Sequence, residues 1–167
     1  MQGSIVFNGR CWWMTFLARA GDVLAPATAP EGRSHHGGQR AIYLSTSRAG
    51  TVLGTRRYMR PDDPPRAIFP LNVRNARIVD LRDPVATARL GIDTTHRAID
   101  WHSLRALGQP SPTWAISDRV RALGLDGMLY ASSAEPARTH LTLFRWNADG
   151  AAQLTRAGPP RPWPQPT

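Results

Sequence analysis

The stretch LGLDGMLYASSAEPARTHLTLFRWN, residues 123–147, carries the clearest structural pattern in the chain. Two apolar segments, residues 126–132 and 140–146, are rich in Leu, Tyr, Phe and Trp and are separated by Ser, Pro and Glu. Short apolar runs bounded by such turn-forming residues predict strands. We therefore expect two strands joined by a polar connection.

A helix is predicted immediately before these strands, over residues 111–123. Ile116, Val120 and Leu123 fall on one helical face, and Gly124 follows as a stop signal. A helix that leads directly into paired strands is typical of domains in which helices and strands are interspersed without a regular βαβ rhythm.

The same signals extend the prediction towards the N-terminus. Strands are predicted at residues 41–45, 67–73 and 76–81, and Pro70 marks the second of these as an edge strand or a bulge. An earlier core-facing strand is predicted at Trp12 and Trp13. One helix is predicted to begin after the capping residues Ser45, Thr46 and Ser47 and to end near Arg57 and Tyr58, and another is predicted after Asp83 with Pro84 in its first turn. The fold class that follows is α+β: a single domain of short, mainly antiparallel strands with flanking helices.

The length of 167 residues fits one domain with one core. We assign residues 1–157 to this domain. Residues 158–167 contain five prolines, so we expect a disordered, Pro-rich tail there.

The charge is strongly positive, at +9, and all 21 basic residues are arginine. Arginine binds phosphate and carboxylate groups through a planar fork, so a nucleotide, a nucleic acid or an acidic protein would each fit. The arginines are scattered, and no helix-turn-helix, zinc-finger or RNP pattern is present, so direct nucleic-acid binding is not expected. A single cysteine, Cys11, and the lack of a long apolar run predict a cytoplasmic protein without a disulfide or a membrane span.

Familiar catalytic motifs are absent. The histidines lack metal-ligand spacing, so no metal is expected. The loop GRSHHGG at residues 32–38 does not match a phosphate-loop motif, although its glycines could expose N–H groups to an anion beside Arg33. Ser132 ends a predicted strand without a GxSxG elbow around it.

Three segments together resemble the RES-domain family. These are GRSHHGGQRAIYLS (32–45), RRYMRPDDPPRAIFPLNVRNARIVDLRDP (56–84) and the opening stretch (123–147), and the resemblance covers residues 9–147. It implies a fold like that of ADP-ribosyltransferases and NAD as substrate, with phosphorolysis, hydrolysis or transfer of ADP-ribose to an acceptor protein. It further implies a toxin that an Xre-like antitoxin protein neutralises.

The resemblance also implies roles for four residues. Arg33, Tyr43 and Ser132 (with Ser133 as a register alternative) match the catalytic positions, and Arg10 joins them as a residue that binds NAD. Arg10 and Arg33 would bind the pyrophosphate, Tyr43 would stack on a ring of NAD, and Ser132 would bond to a ribose hydroxyl or the carboxamide.

The RES-domain family is named for an Arg, a Glu and a Ser, and the resemblance therefore also implies a glutamate, which this sequence lacks. Its expected place is near Gly54, and no acidic residue occurs between Glu31 and Asp62. Three explanations stay open. The arginines and the substrate's own charge suffice at a reduced rate; Asp62, Asp63 or Glu135 substitutes; or this copy is attenuated or inactive. The competing function is a basic binding module, or a catalytically attenuated RES copy, that binds a partner protein or nucleic acid without chemistry.

Overall fold

The computed structural model describes residues 1–163, which form one seven-stranded sheet flanked by helices. The strands are β1 (Ile5–Phe16), β2 (Ile42–Ser45), β3 (Arg66–Asp80), β4 (Gly127–Ala131), β5 (Thr139–Leu143), β6 (Gln153–Arg156) and β7 (Arg161–Trp163). The helices are α1 (Arg48–Arg56), α2 (Pro84–Arg89), α3 (Trp101–Ala106) and α4 (Thr113–Ala122), and a short 3-10 helix spans Leu17–Asp22.

The sheet closes on itself. Its strands follow the order β1-β2-β5-β4-β3-β6, and β1 also pairs with β3 from one end to the other, so five strands form a ring. Only β3 and β4 run parallel among the strand pairs of residues 1–163. The predicted α+β class with mainly antiparallel strands is therefore confirmed, although β1 and β3 are longer than expected.

Two apolar layers hold the sheet. The inside of the ring is filled by side chains of its five strands, including Cys11, Ile42, Leu71, Ile78 and Leu141. Burial raises the pKa of the Cys11 thiol to about 12, as expected for a core cysteine. The other face of β4 and β5 packs against α4 through a second cluster, and this second face carries the candidate site.

β3 corrects the prediction of separate strands at 67–73 and 76–81. It is a single strand of 15 residues with a bend at Asn75, whose φ is 55° and whose N–H donates to Asn8 Oδ1 at 2.8 Å. Opposite the bend, the register with β1 shifts between Phe7 and Gly9. Asparagine tolerates the left-handed region, so a residue typical of turns serves here as a bulge.

Pro70 lies inside the sheet and not at an edge. It pairs with Trp12 of β1 on one side. On the other side the neighbouring strand changes from β7, which pairs as far as Ile68, to β6, which pairs from Leu71 onward. Pro70 occupies the gap between them, which is the kind of irregularity where a missing N–H is tolerated.

Three helices match their predictions, and two of them, α1 and α2, begin at local capping residues. The Ser47 hydroxyl accepts from the Gly50 N–H at 3.0 Å at the start of α1, and the Asp83 carboxylate caps α2. α4 lies within the predicted 111–123 range. Neither α3 nor β6 was predicted. None of the helices in residues 1–163 is long and apolar enough to cross a bilayer.

The predicted disordered tail is wrong for residues 161–163. These residues form β7, in which Pro162 pairs with Ala67 of β3. Proline is compatible with a short outer strand because it needs no ladder partner for an N–H. Residues 158–160 of the predicted tail form no strand or helix, and residues 164–167 lie outside the described residues.

Candidate functional site

Two rows of side chains cross the sheet on the face that packs against α4. Paired residues share a face, so the register places Ser45, His140 and Tyr130 in one row and Tyr43, Thr142 and Met128 in the next. The Tyr130 hydroxyl lies 3.1 Å from the Thr142 hydroxyl, and the Tyr130 and His140 rings lie 5.6 Å apart. These rows, here called the floor, give the site an aromatic and partly polar surface.

The loop of residues 32–39, here called the arginine loop, is fixed to α4. The Trp114 Nε1–H donates to the Gly32 carbonyl at 2.8 Å, and the Thr113 hydroxyl donates to the Arg33 carbonyl. These bonds hold the backbone around Arg33. The loop predicted from its glycines and histidines is thus an ordered element that positions one side chain.

Tyr43 fixes the arginine loop to the floor. Its hydroxyl accepts from the Ser34 N–H at 3.0 Å and lies 2.7 Å from His35 Nδ1. His35 Nε2 must donate to the Ala29 carbonyl at 2.9 Å, because a carbonyl only accepts, so Nδ1 of the neutral ring accepts from Tyr43. A Cβ at Gly32 would come within 2.8 Å of the Tyr43 hydroxyl, which explains the glycine. The hydroxyl is fully used, so only the ring remains for a ligand.

We expect Tyr43→Phe to lower the free energy of unfolding by about 2 kcal/mol, because it leaves the Ser34 N–H and His35 Nδ1 without partners in a partly buried place. Urea unfolding measures this change. Tyr58→Phe is the matched control: Tyr58 is 47% exposed, so its loss should cost less than about 0.5 kcal/mol. Equal stabilities for the two variants would contradict the anchoring role.

The Arg33 guanidinium carries an uncompensated charge. Its Nη1 donates to the carbonyls of Arg97 and Ile99 at 3.1 and 3.2 Å, just before α3. Within residues 1–163 it forms no ion pair with a carboxylate; the nearby Glu31 pairs instead with Arg105 at 2.9 Å. A positioned, unpaired guanidinium is suited to binding an anionic ligand.

An aromatic wall rises beside Arg33. The Tyr58 hydroxyl lies 3.0 Å from His102 Nε2, and the Trp101 and His102 rings have centroids 3.9 Å apart. Trp101 is only 7% exposed, yet its Nε1–H has no hydrogen-bond partner within the described part of the chain. A buried donor without a partner is costly, and the same burial shields this N–H from a ligand in the described conformation.

His140 is held neutral on the floor. Burial lowers its pKa, and the Arg33 charge lowers it further. Burial also raises the pKa of the neighbouring Tyr130 hydroxyl, with Arg33 opposing this rise. At neutral pH the floor therefore offers an uncharged imidazole that can accept a proton.

Gly54 lies directly against His140. A Cβ at position 54 would stand 3.3 Å from His140 Cε1, so a side chain added there would enter the site. The three acids considered as substitutes are placed differently. Asp63 pairs with Arg66 at 2.7 Å, Glu135 pairs with Arg138 at 2.5 Å, and Asp62 is exposed in the turn after Pro61. The structure brings none of these three into contact with Arg33 or His140.

Ser132 follows Tyr130 by two residues, so it continues the same face just beyond β4. It is 7% exposed, and its Oγ accepts from the Ala134 and Glu135 N–H groups at 3.3 Å. The hydroxyl hydrogen remains free to donate. Ser133, the register alternative, is exposed on the turn.

Arg10 is not brought to the other three residues. It lies on β1 opposite Asn72 of β3, and its side chain is exposed. Among the described residues it makes no hydrogen bond or ion pair with Arg33, Tyr43 or Ser132. The geometry thus groups Arg33, Tyr43 and Ser132 around the floor and leaves Arg10 on a separate strand.

Five residues of the site were missed in the sequence: Tyr58, Trp101, His102, Tyr130 and His140. Their only signal was residue type, because the pairing of β4 with β5 and the contact of Tyr58 with His102 join segments that lie apart in the sequence. No cluster of three or more potential ligands that could hold a metal ion occurs in residues 1–163.

We expect the free energy of unfolding to decrease as the pH falls below about 6.5. His35, His102 and His140 all have a pKa lowered from 6.5, with burial as the largest cause. Below pH 6.5 the unfolded chain binds more protons than the folded chain, so protonation stabilises the unfolded state relative to the folded state. Urea midpoints at about pH 7.5 and about pH 5.5 measure the loss. His140→Gln should flatten the dependence, whereas a midpoint that rises on acidification would contradict it.

Comparison with known proteins agrees with this architecture. The model of the RES domain matches residues 10–165. A crystal structure of the M. tuberculosis MbcT–MbcA toxin–antitoxin complex contains a similar chain, with a TM-score of 0.61 and 16% identity over 92% of this chain and 86% of that chain. No curated protein matches the sequence. Because the family model spans nearly all of the described structure, including the arginine loop, α1 and β7, the chain belongs to the RES-domain family.

Proposed function

We propose that this chain is a toxin of a toxin–antitoxin pair that acts in the cytoplasm and cleaves the nicotinamide–ribose bond of NAD. ADP-ribose would pass to phosphate, water or an acceptor protein. The observation that carries the proposal is the unpaired Arg33, held on an ordered loop beside an aromatic and histidine-lined floor. Membership of the RES-domain family and the similarity to a chain of a toxin–antitoxin complex support it.

The residues present suit the parts of NAD. Arg33 can form charge-assisted bonds with the pyrophosphate, and the rings of Tyr43 and Tyr58 offer stacking surfaces. The Ser132 hydroxyl can donate to a ribose hydroxyl or to the carboxamide oxygen.

The reaction breaks one bond and forms one. Nicotinamide leaves with the electron pair of the bond to ribose, and positive charge develops on the sugar as in glycoside hydrolysis. Phosphate or water then attacks the same carbon. When water is the nucleophile, its proton needs an acceptor, and the neutral His140 imidazole is suited to that role.

Product analysis of purified protein incubated with NAD, with and without phosphate, tests the proposal. Free nicotinamide with ADP-ribose 1″-phosphate would identify phosphorolysis, free ADP-ribose would identify hydrolysis, and label on protein would identify transfer. Intact NAD in every arm would refute cleavage.

A second candidate is binding without chemistry, favoured by the glycine at position 54 where a carboxylate is expected. Calorimetry would then detect NAD binding without nicotinamide release. A basic module for nucleic acid would instead show salt-sensitive retention on nucleic acid and no affinity for NAD. An Xre-like antitoxin is the expected protein partner, and co-purification with the product of a neighbouring gene would test it.

A further inference from the structure

A cavity of about 450 Å³ lies on the side of α1 opposite the floor. A Cβ added at Gly50 would point towards Ser45, and one added at Gly54 would point towards His140. Val52 and Leu53 instead line the cavity. Positions 50 and 54 share one face of a helix, and position 52 lies on the opposite face. The cavity, here called the basic groove, therefore lies on the other side of α1 from the floor. It adjoins the proposed NAD site only at Glu135, whose N–H donates to Ser132 Oγ at 3.3 Å.

The rim of the basic groove carries four arginines: Arg48, Arg56, Arg138 and Arg161. Arg138 pairs with Glu135, the one acidic residue lining the groove. The other three form no ion pair with a carboxylate within residues 1–163. Three converging positive charges without counter-charges repel one another, and an anionic ligand would relieve that repulsion.

The base of the basic groove is apolar. Val52 and Leu53 of α1, Ile68 of β3 and Trp163 of β7 form it. It continues into a smaller cleft lined by Trp12, through the shared residues Ile68, Arg48 and Arg161. The groove is thus elongated and has charged edges along an aliphatic and aromatic base.

We propose that the basic groove binds an acidic, amphipathic segment of a partner protein. Its carboxylates would pair with the guanidinium groups of the rim, which bind carboxylate in bidentate fashion. Its apolar side chains would pack against the apolar base of the basic groove, as linear peptides do in grooves of this kind. Three of the four apolar residues at the base, Val52, Leu53 and Ile68, are aliphatic and only Trp163 is aromatic. This favours a peptide over single-stranded nucleic acid, because bases are held by stacking on successive aromatic rings.

Fluorescence anisotropy on the full chain with the labelled peptide ELEDLLEE tests the proposal, with QLQNLLQQ as the uncharged control peptide. Arg161→Glu and Arg56→Glu should each weaken binding of ELEDLLEE at least about tenfold. Arg89→Glu is the matched control: this exposed arginine of α2 lies outside the groove, and its reversal changes the net charge equally. It should leave the affinity unchanged.

Any of three results would overturn the proposal: no binding of ELEDLLEE, equal weakening by Arg89→Glu, or tighter binding of oligouridylate that Arg161→Glu abolishes. An NMR titration of the unmodified chain makes the test independent of variant folding. The indole N–H signals of Trp163 and Trp12 should shift with ELEDLLEE, whereas that of the core residue Trp146 should not.

Discussion

Arg33→Ala is expected to lower kcat/KM for NAD cleavage by about 10²–10³, because truncating one partner of a hydrogen-bonded charge pair, here Arg33 with the pyrophosphate, costs about 2–5 kcal/mol. Its guanidinium is the unpaired charge beside the floor, and its backbone is held by Thr113 independently of the side chain. Arg33→Lys keeps the charge but loses the planar fork, so its activity should fall between those of the parent chain and the Arg33→Ala variant.

Nicotinamide release measures the effect, with Arg89→Ala as the control that removes an exposed arginine of α2. Because the Arg33 side chain also bonds to the Arg97 and Ile99 carbonyls, a thermal melt must accompany the kinetics. A fully folded Arg33→Ala variant with activity within twofold of the parent would exclude this arginine from the site.

Gly54→Glu is expected to raise NAD cleavage at least about tenfold, since a carboxylate there would stabilise the positive charge that develops on the sugar. Position 54 lies in α1 against His140, and an added Cβ would require His140 to yield by a few tenths of an ångström. This tight contact directs the new side chain into the site.

Two variants separate charge from structure. Gly54→Ala supplies the Cβ and the gain in helix propensity of about 1 kcal/mol without a carboxylate, and Gly54→Gln supplies the length without the charge. Both should remain at the level of the parent chain. Equal gains in Gln and Glu variants would show that helix stability limits the rate and not the missing charge.

Local signals explain which parts of the fold were predictable. The caps of α1 and α2 depend on residues within three positions, so Ser47 and Asp83 announce them in the sequence. α3 has six residues and no side-chain cap, and its position depends on tertiary contacts of Trp101. β3 looks like two strands because the bulge at Asn75 is stabilised by Asn8, 67 positions away.

The candidate site likewise contains some residues that a local motif predicts and others that only tertiary contacts bring together. Arg33 and Tyr43 belong to one short motif whose spacing the resemblance supplied, and the structure joins them through Ser34 and His35. His102 meets Tyr58 across 44 positions, a contact that no local pattern contains. The roles of Arg33, Tyr43 and Ser132 in NAD chemistry stay predictions until the variants are measured.

The closed ring also bears on when activity can first appear during synthesis. β5 lies between β2 and β4 in the sheet, so the floor does not exist until residues as far as Leu143 have left the ribosome. Pairing between segments far apart in sequence is slow, and translation proceeds at about 5–20 residues per second. If the chain acts on NAD as proposed, it therefore cannot do so until this pairing is complete, and a partner made alongside it has that interval in which to accumulate.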